Sequence, residues 1–215
     1  MPAEPPRPTT SACPFRPATP VVIGIVGGIA SGKSTVAGLF AAHGLRHVDA
    51  DAHSRAIAAE PATLRLLADA FGPAVLAEGA LDRAALARLV FDDPAARRRL
   101  EAILLPPIRQ RLLADLAAAR AAGESVLLDA PLLLEAGLVD LCDHVVFVDA
   151  SPATRARRAA ERGWPAGELA RREATQTSVE AKERRAGFRI RNDADLAETQ
   201  RQVADLLRTL AMATP

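Results

Sequence analysis

Nine consecutive residues, Gly27-Gly28-Ile29-Ala30-Ser31-Gly32-Lys33-Ser34-Thr35, satisfy the pattern G-x-x-x-x-G-K-[ST]. Each fixed position answers a physical need. Gly27 and Gly32 allow backbone angles that turn N–H groups inward, which makes a nest for phosphate oxygens. A helix beginning near Lys33 would add its positive N-terminal end. Lys33 supplies a point charge for β- and γ-phosphates, and the Ser34 hydroxyl can ligate Mg2+. The chemistry implied is the holding of a nucleoside triphosphate. What accepts or cleaves the phosphate must be read elsewhere, at the carboxyl ends of other strands.

Two carboxylates stand in Asp49-Ala50-Asp51, two residues apart and on one face if a strand runs through them. Beside a phosphate loop, one could take the proton of an attacking hydroxyl while the other orients it or holds metal through water. Alternatively one of them caps the helix that follows, a common use of Asp. Asp129 ends the apolar run Ser125-Val126-Leu127-Leu128, the usual place for a carboxylate holding Mg2+ waters. Asp149 ends another run before Ser151-Pro152, where helix capping is the expectation. Residues 151–191 carry ten arginines and Lys182 against five glutamates, a net of +6, so the rest of the chain is −5. Such a segment suits a lid that excludes water and offsets transition-state charge. Most of its arginines are expected on a solvated helical face. Arg158 and Arg162, four apart, are the pair expected at phosphate.

These groups need a scaffold. Val21–Val26 is a β-branched run long enough for one buried strand, and runs at 45–48, 125–128, 144–148 and, more weakly, 188–190 follow. Apolar strands separated by helical stretches indicate an α/β chain with a parallel sheet covered on both faces. Residues 52–121 read as several helices punctuated by Pro61, Gly72-Pro73, Pro94 and Pro106-Pro107. Residues 151–186 read as a helix pair broken at Gly163-Trp164-Pro165, with Trp164 a packing residue. Residues 1–20 hold seven of the sixteen prolines and are expected to be a disordered extension. The domain proper is then 21–215, with a helical insertion at 52–121 and a lid at 151–186.

Composition removes other classes. Only 3% of the 215 residues are aromatic, which disfavours stacking platforms for single-stranded nucleic acid. A net charge of +1 gives no global field for nucleic acid or membrane, and no apolar run is long enough to span a bilayer. Two cysteines, Cys13 and Cys142, fit a reducing cytoplasm, and the four histidines show no ligand spacing. Only two of 27 basic residues are lysines, Lys33 and Lys182. A compact ammonium suits a phosphate loop better than a guanidinium fork, which explains the first.

Taken in order, the loop Val26–Ser34, the pair Asp49-Ala50-Asp51 with Arg55, and Ala130-Pro131-Leu132-Leu133-Leu134-Glu135 resemble the dephospho-coenzyme A kinase family. The resemblance runs from about Val21 to Asn192 and includes Arg158, Arg162, Gln176, Lys182 and Asn192. It implies a P-loop nucleotide-kinase-like, three-layer fold with a central parallel five-stranded sheet, a helical substrate-binding insertion and a helical lid. It implies ATP and Mg2+ as cofactors and dephospho-CoA as the small-molecule partner, phosphorylated on its ribose 3′-hydroxyl. Asp51 would be the base, with Lys33 and Arg158 also catalytic. Gly27, Ala30, Ser31, Gly32, Lys33, Ser34, Thr35, Arg162 and Asn192 would bind ATP. Asp51 and Arg55 would bind the acceptor, and Ser34 would face the metal. Asp129 joins Ser34 there from its place at the end of a strand rather than from the family, where that position varies. No nucleic acid or membrane partner is implied, and the protein would act in the cytoplasm as a monomer or weak homo-oligomer. Three positions depart from the family's pattern: Ala30 stands for Gly, Leu105-Pro106 for His-Pro, and Gly187-Phe188 for Ala-Asp. The rival readings are a related kinase acting on another hydroxyl or a nucleoside monophosphate, and a nucleotide-binding switch. Against the switch, no Asn-Lys-x-Asp base-reading motif occurs.

Overall fold

The computed structural model describes residues 14–91, 93–130 and 133–213. It divides into two units: residues 1–48 with 119–215, and residues 49–118.

In the first unit, the β-branched run forms β1 (Val22–Gly27), with all six residues buried. The other strands are β2 (Arg46–Asp49), β5 (Val126–Asp129), β6 (His144–Asp149) and β7 (Phe188–Arg191), in the parallel sheet order β2-β5-β1-β6-β7. Register aligns Ile25 with Asp129, Gly27 with Val148, and Asp149 with Arg191. The strands' carboxyl ends therefore come to one edge of the sheet. Alternate residues Ile23, Ile25, Leu127, Val146, Val148 and Ile190 join a core with α1 (Lys33–Ala42) and α9 (Leu196–Ala213), through Val36, Phe40, Val203 and Leu207. The intervening residues Val22, Val126, Leu128, Val145 and Phe147 are buried as well. Burial on both faces is what makes these strands uniformly apolar. One of them tolerates a glycine for lack of room: a side-chain carbon on Gly24 would stand 2.6 Å from Cys142 Sγ and 2.9 Å from Leu133.

The segment after β6 holds three short helices, α6 (Pro152–Glu161), α7 (Glu168–Glu173) and α8 (Val179–Arg184), rather than the expected pair. The extra break falls at residues 174–178, where Ser178 caps α8 through Ala181 N. Ser151, not Asp149, caps α6, and Asp149 lies 3.5 Å from Arg189 instead. Trp164 sits under the Arg172 guanidinium at 4.3 Å. Of the Pro-rich extension, residues 1–13 lie outside the described residues. Residues 14–20 contain no helix or strand, yet Phe15 donates its N–H to His43 O and packs against the core. Order therefore begins before Val21.

The second unit contains α2 (Ala50–Ala58), α3 (Pro61–Phe71), α4 (Arg83–Phe91) and most of α5 (Pro94–Ala121). Its own core gathers Leu67, Val75 and Leu86. Two features differ from expectation. Residues 76–81 form a small hairpin, β3 (Leu76–Ala77) with β4 (Ala80–Leu81), where no strand was expected. Its turn residues Glu78 and Gly79 both have positive φ, 50° and 79°, as a tight hairpin requires. The helix α5 runs 28 residues through Pro106 and Pro107, which were expected to end it. Both prolines lack an N–H, so the carbonyls of Ala102 and Ile103 lose their usual helical donors. Asp93 caps this helix by accepting from Ala95 and Ala96 N–H groups, which hold its carboxyl below the usual carboxylate range.

Candidate active site

The phosphate loop follows β1 and ends in α1. Ala30 and Gly32 both occupy the left-handed region, with φ of 61° and 90°. Gly32 has no alternative, since a side-chain carbon there would overlap the Asn192 amide and approach Arg158 Nη1 at 3.2 Å. Ala30 holds its angle as a buried residue, a strain of about 1 kcal/mol relative to Gly. The departure at this position is thus absorbed by the backbone without a shift to another region of φ. Gly27 is equally closed: a side-chain carbon would meet Val148 O at 2.6 Å and Ser31 Oγ at 2.8 Å.

Lys33 donates to Gly27 O and Gly28 O, both at 3.2 Å, and so folds its amine onto the rim of the loop. Its pKa is lowered to about 8, first by burial and then by the charges of Lys182 and Arg162; Asp129 and Glu135 oppose the shift. An ammonium destabilised in this way is poised for an anion. Ser34 and Thr35, in the first turn of α1, are exposed. Asp129 ends β5 with its carboxylate 3.6 Å from His47 Nε2. A hydroxyl and a carboxylate are hard oxygen donors of the kind a partly hydrated Mg2+ takes, with phosphate supplying the rest. Among the described residues no three His, Cys, Asp or Glu side chains form a protein-only metal cage.

The arginines take several kinds of partner. Arg158, expected at phosphate, donates Nη1 to Ser31 O at 2.9 Å and Nη2 to Asn192 O at 2.8 Å. Asn192, buried after β7, gives its Nδ2 to the same Ser31 carbonyl at 2.8 Å and accepts from Thr199 Oγ1 at 3.2 Å. Both residues brace the loop from behind. Arg162 ends α6, is exposed, and its charge acts on Lys33. The solvated pairs expected on the lid exist, but as Arg157 with Glu161 and as Arg171 and Arg172 with Glu168.

Three residues without an assigned role gather beside the loop. Lys182 is 3% exposed and donates to Gln176 Oε1 at 2.7 Å, with Glu135 Oε1 at 3.8 Å. Glu135 also accepts from Thr177 N–H at 2.7 Å. Burial opposes ionisation of Glu135, but the Thr177 bonds and Lys182 hold its carboxyl below the usual range. Two signals for this cluster were legible: Lys182 is a lysine where the chain otherwise writes Arg, and Glu135, Gln176 and Lys182 all fall within the resemblance.

In the second unit, β2 stops at Asp49 and α2 begins at once, so the two carboxylates do not share a strand face. Asp49 caps α2, accepting from Asp51 N at 2.8 Å and Ala52 N at 3.1 Å, and its other oxygen lies 3.3 Å from Arg55 Nη2. Asp49 therefore takes the capping role. Asp51 lies in the exposed first turn. His53 Nε2 meets Asp115 at 2.8 Å, joining α2 to α5.

A parallel sheet that delivers a lysine-bearing phosphate loop to the edge where its strands end defines a P-loop nucleotide-binding protein. The chain belongs to the dephospho-CoA kinase family, whose model matches residues 21–198. A dephospho-CoA kinase of Deinococcus radiodurans is 44% identical over 204 residues, covering 94% of this chain and 98% of that protein. One from Anaeromyxobacter dehalogenans is 45% identical over 194 residues, 86% of this chain and 92% of its own. The crystal structure of TT1252 from Thermus thermophilus superposes with a TM-score of 0.78 at 36% identity, over 92% of this chain and all of that one. A dephospho-CoA kinase from Campylobacter jejuni, at 21% identity and a TM-score of 0.61 over 91% of this chain and all of its own, shares the fold. No helix among the described residues is long and apolar enough to cross a membrane.

Proposed function

We propose that this protein transfers the γ-phosphoryl group of ATP to the ribose 3′-hydroxyl of dephospho-CoA, giving CoA and ADP, the last step of coenzyme A synthesis. The observation that carries the transfer chemistry is Lys33: a desolvated ammonium resting on loop carbonyls, in a cradle that only glycine fits at Gly27 and Gly32. The acceptor follows from the family, which matches 21–198 as a whole.

In this reading the loop N–H groups from Ala30 to Thr35 hold the phosphates and Lys33 turns from the rim to the β- and γ-oxygens. Asp51 takes the hydroxyl proton as the new O3′–P bond forms and the bond to the β-phosphate oxygen breaks. Asp49 is committed to the helix cap, and Asp51 is the carboxylate that the family's motif assigns to this task. Arg55, tethered near Asp49, offers a cation to the acceptor's diphosphate. Arg158 and Asn192 keep the loop rigid, and Arg162 supplies charge at the lid. Mg2+, when bound, would be held by Ser34 and, through water, by Asp129, and would neutralise charge on the phosphate oxygens. A cytoplasmic site of action fits the free thiol of Cys142, whose pKa burial raises to about 12.

The test is ADP release from ATP with dephospho-CoA compared with AMP, CMP, gluconate and water as acceptors. Dephospho-CoA is expected to exceed the others in kcat/KM by at least ~10²-fold. Turnover with dephospho-CoA no faster than with water would reject this function.

A further inference from the structure

A cavity of about 240 Å3 opens beside the loop, walled by Gly28 and Ile29, by Arg155, Gln176 and Lys182, and by two carboxylates, Glu173 and Glu180. Two of these are buried cations, Arg155 at 9% and Lys182 at 3% exposure. Arg155 pairs with Glu173, but its Nε has no hydrogen-bond partner. An ammonium has three donors to place, and Lys182 has one short bond, to an uncharged amide oxygen. Its nearest carboxylate stands at 3.8 Å, beyond hydrogen-bond range. Such a cation is costly to bury unless something else completes it.

The same cavity wall locates what that is. Gly28 carries the carbonyl on which Lys33 rests, so both ammonium groups border the same loop residue. Their repulsion is part of what lowers the Lys33 pKa. Ala30 to Thr35 wrap the inner phosphates, which leaves Gly28 and Ile29 at the outer lip, where the terminal phosphate must stand. Two ammonium groups and a half-paired guanidinium at that lip match the one group of ATP that carries most charge during transfer.

We propose that Lys182 is a further catalytic residue, whose ammonium leaves Gln176 to bind the γ-phosphoryl group together with Lys33. Glu135 is its positioning residue: by accepting from Thr177 N–H it fixes the stretch from Gln176 to Lys182 against the turn after β5. The proposal rests on the reading that the loop transfers the γ-phosphate of ATP, and not on which hydroxyl receives it.

Calorimetric titration with ATP and with ADP, each with Mg2+ and no acceptor, separates this role from a structural one. Lys182→Met is expected to weaken ATP by ~10-fold or more, the loss of one charge-assisted bond, and to leave ADP within about twofold. Lys182→Arg keeps part of the ATP affinity. Equal losses for both nucleotides would make Lys182 a packing residue, and unchanged ATP binding would remove it from the site; either overturns the proposal. Should Lys182→Met fail to fold, the pair Lys182→Met with Glu135→Gln, which removes both charges, is read by the same ATP-to-ADP ratio. A wrong acceptor assignment would show only as missing turnover with dephospho-CoA, while the nucleotide titrations would keep their expected pattern.

Discussion

Lys33 ties the electrostatics of the site to a measurable proton. Its folded pKa of about 8 lies below the 10.5 of a free lysine. Between those values the unfolded chain binds more protons than the folded one, so this group's contribution to stability rises as pH climbs from 8 to 10.5. Below pH 8 the charged amine is a standing cost to the free protein. ATP reverses the sign, because phosphate favours the ammonium and lifts its pKa. Binding at pH 8 should therefore take up about half a proton, rising toward one near pH ~9.5. Calorimetry of ATP binding in buffers of different ionisation enthalpy, with EDTA present, reads this directly, and Lys33→Met should diminish it. No proton uptake at either pH would separate Lys33 from the phosphates. The loop was legible in the sequence because every constraint on it is local, from Gly27 to Thr35. Lys182, Glu135 and Gln176 were legible only as positions in the resemblance, and their meeting was not: Glu135, after β5, and Thr177, between α7 and α8, are 42 residues apart. The role of Asp49 was half legible: type and spacing allowed either carboxylate to cap, and only the end of β2 decided which one does.

At the scale of elements, β1, β5 and β6 were readable from near-continuous burial, whereas the helices misled wherever one residue type has two uses. Proline ends most helices, but Pro106 and Pro107 sit inside α5, and the three residues Glu78, Gly79 and Ala80 carry too weak a pattern to announce a hairpin. The more consequential surprise is how the loop is held. Helix α6 reaches it through Arg158, and the β7–α9 connection through Asn192, both ending on the carbonyl of Ser31. Arg158 also crosses to Asn192 O, so one guanidinium ties loop, lid helix and last strand together. A lysine has no planar fork for two carbonyls in different elements. Arg158→Lys is expected to lower ATP affinity by about tenfold, through a looser loop, with little change in the KM for dephospho-CoA. Unchanged ATP affinity in that variant would show that Asn192 alone suffices to brace the loop.

For the molecule as a whole, the near-neutral charge concealed an uneven distribution: a +6 segment at 151–191 against −5 elsewhere. The division of the backbone is just as plain. Residues 49–118 bury Leu67, Val75 and Leu86 in a core of their own, apart from the cluster around Ile25 and Phe40 that supports the loop. Gly27 to Thr35, Arg158 and Asn192, proposed to hold nucleotide or brace its loop, belong to the first unit; Asp51 and Arg55, proposed to serve the acceptor, belong to the second. If each core sustains its own half of the chemistry, damage to one should spare the other. Leu67 is fully buried, and its truncation to Ala should cost about 2–5 kcal/mol, concentrated in residues 49–118. Hydrogen exchange in Leu67→Ala should then rise in α2, α3 and α4 but not in β1 or β6. ATP binding should stay within about twofold of the parent, while the KM for dephospho-CoA rises and kcat falls, because the helix that carries Asp51 and Arg55 frays. Should ATP affinity fall in step with turnover, the two cores act as one cooperative unit, and the separation of nucleotide from acceptor binding along the chain would have no energetic counterpart.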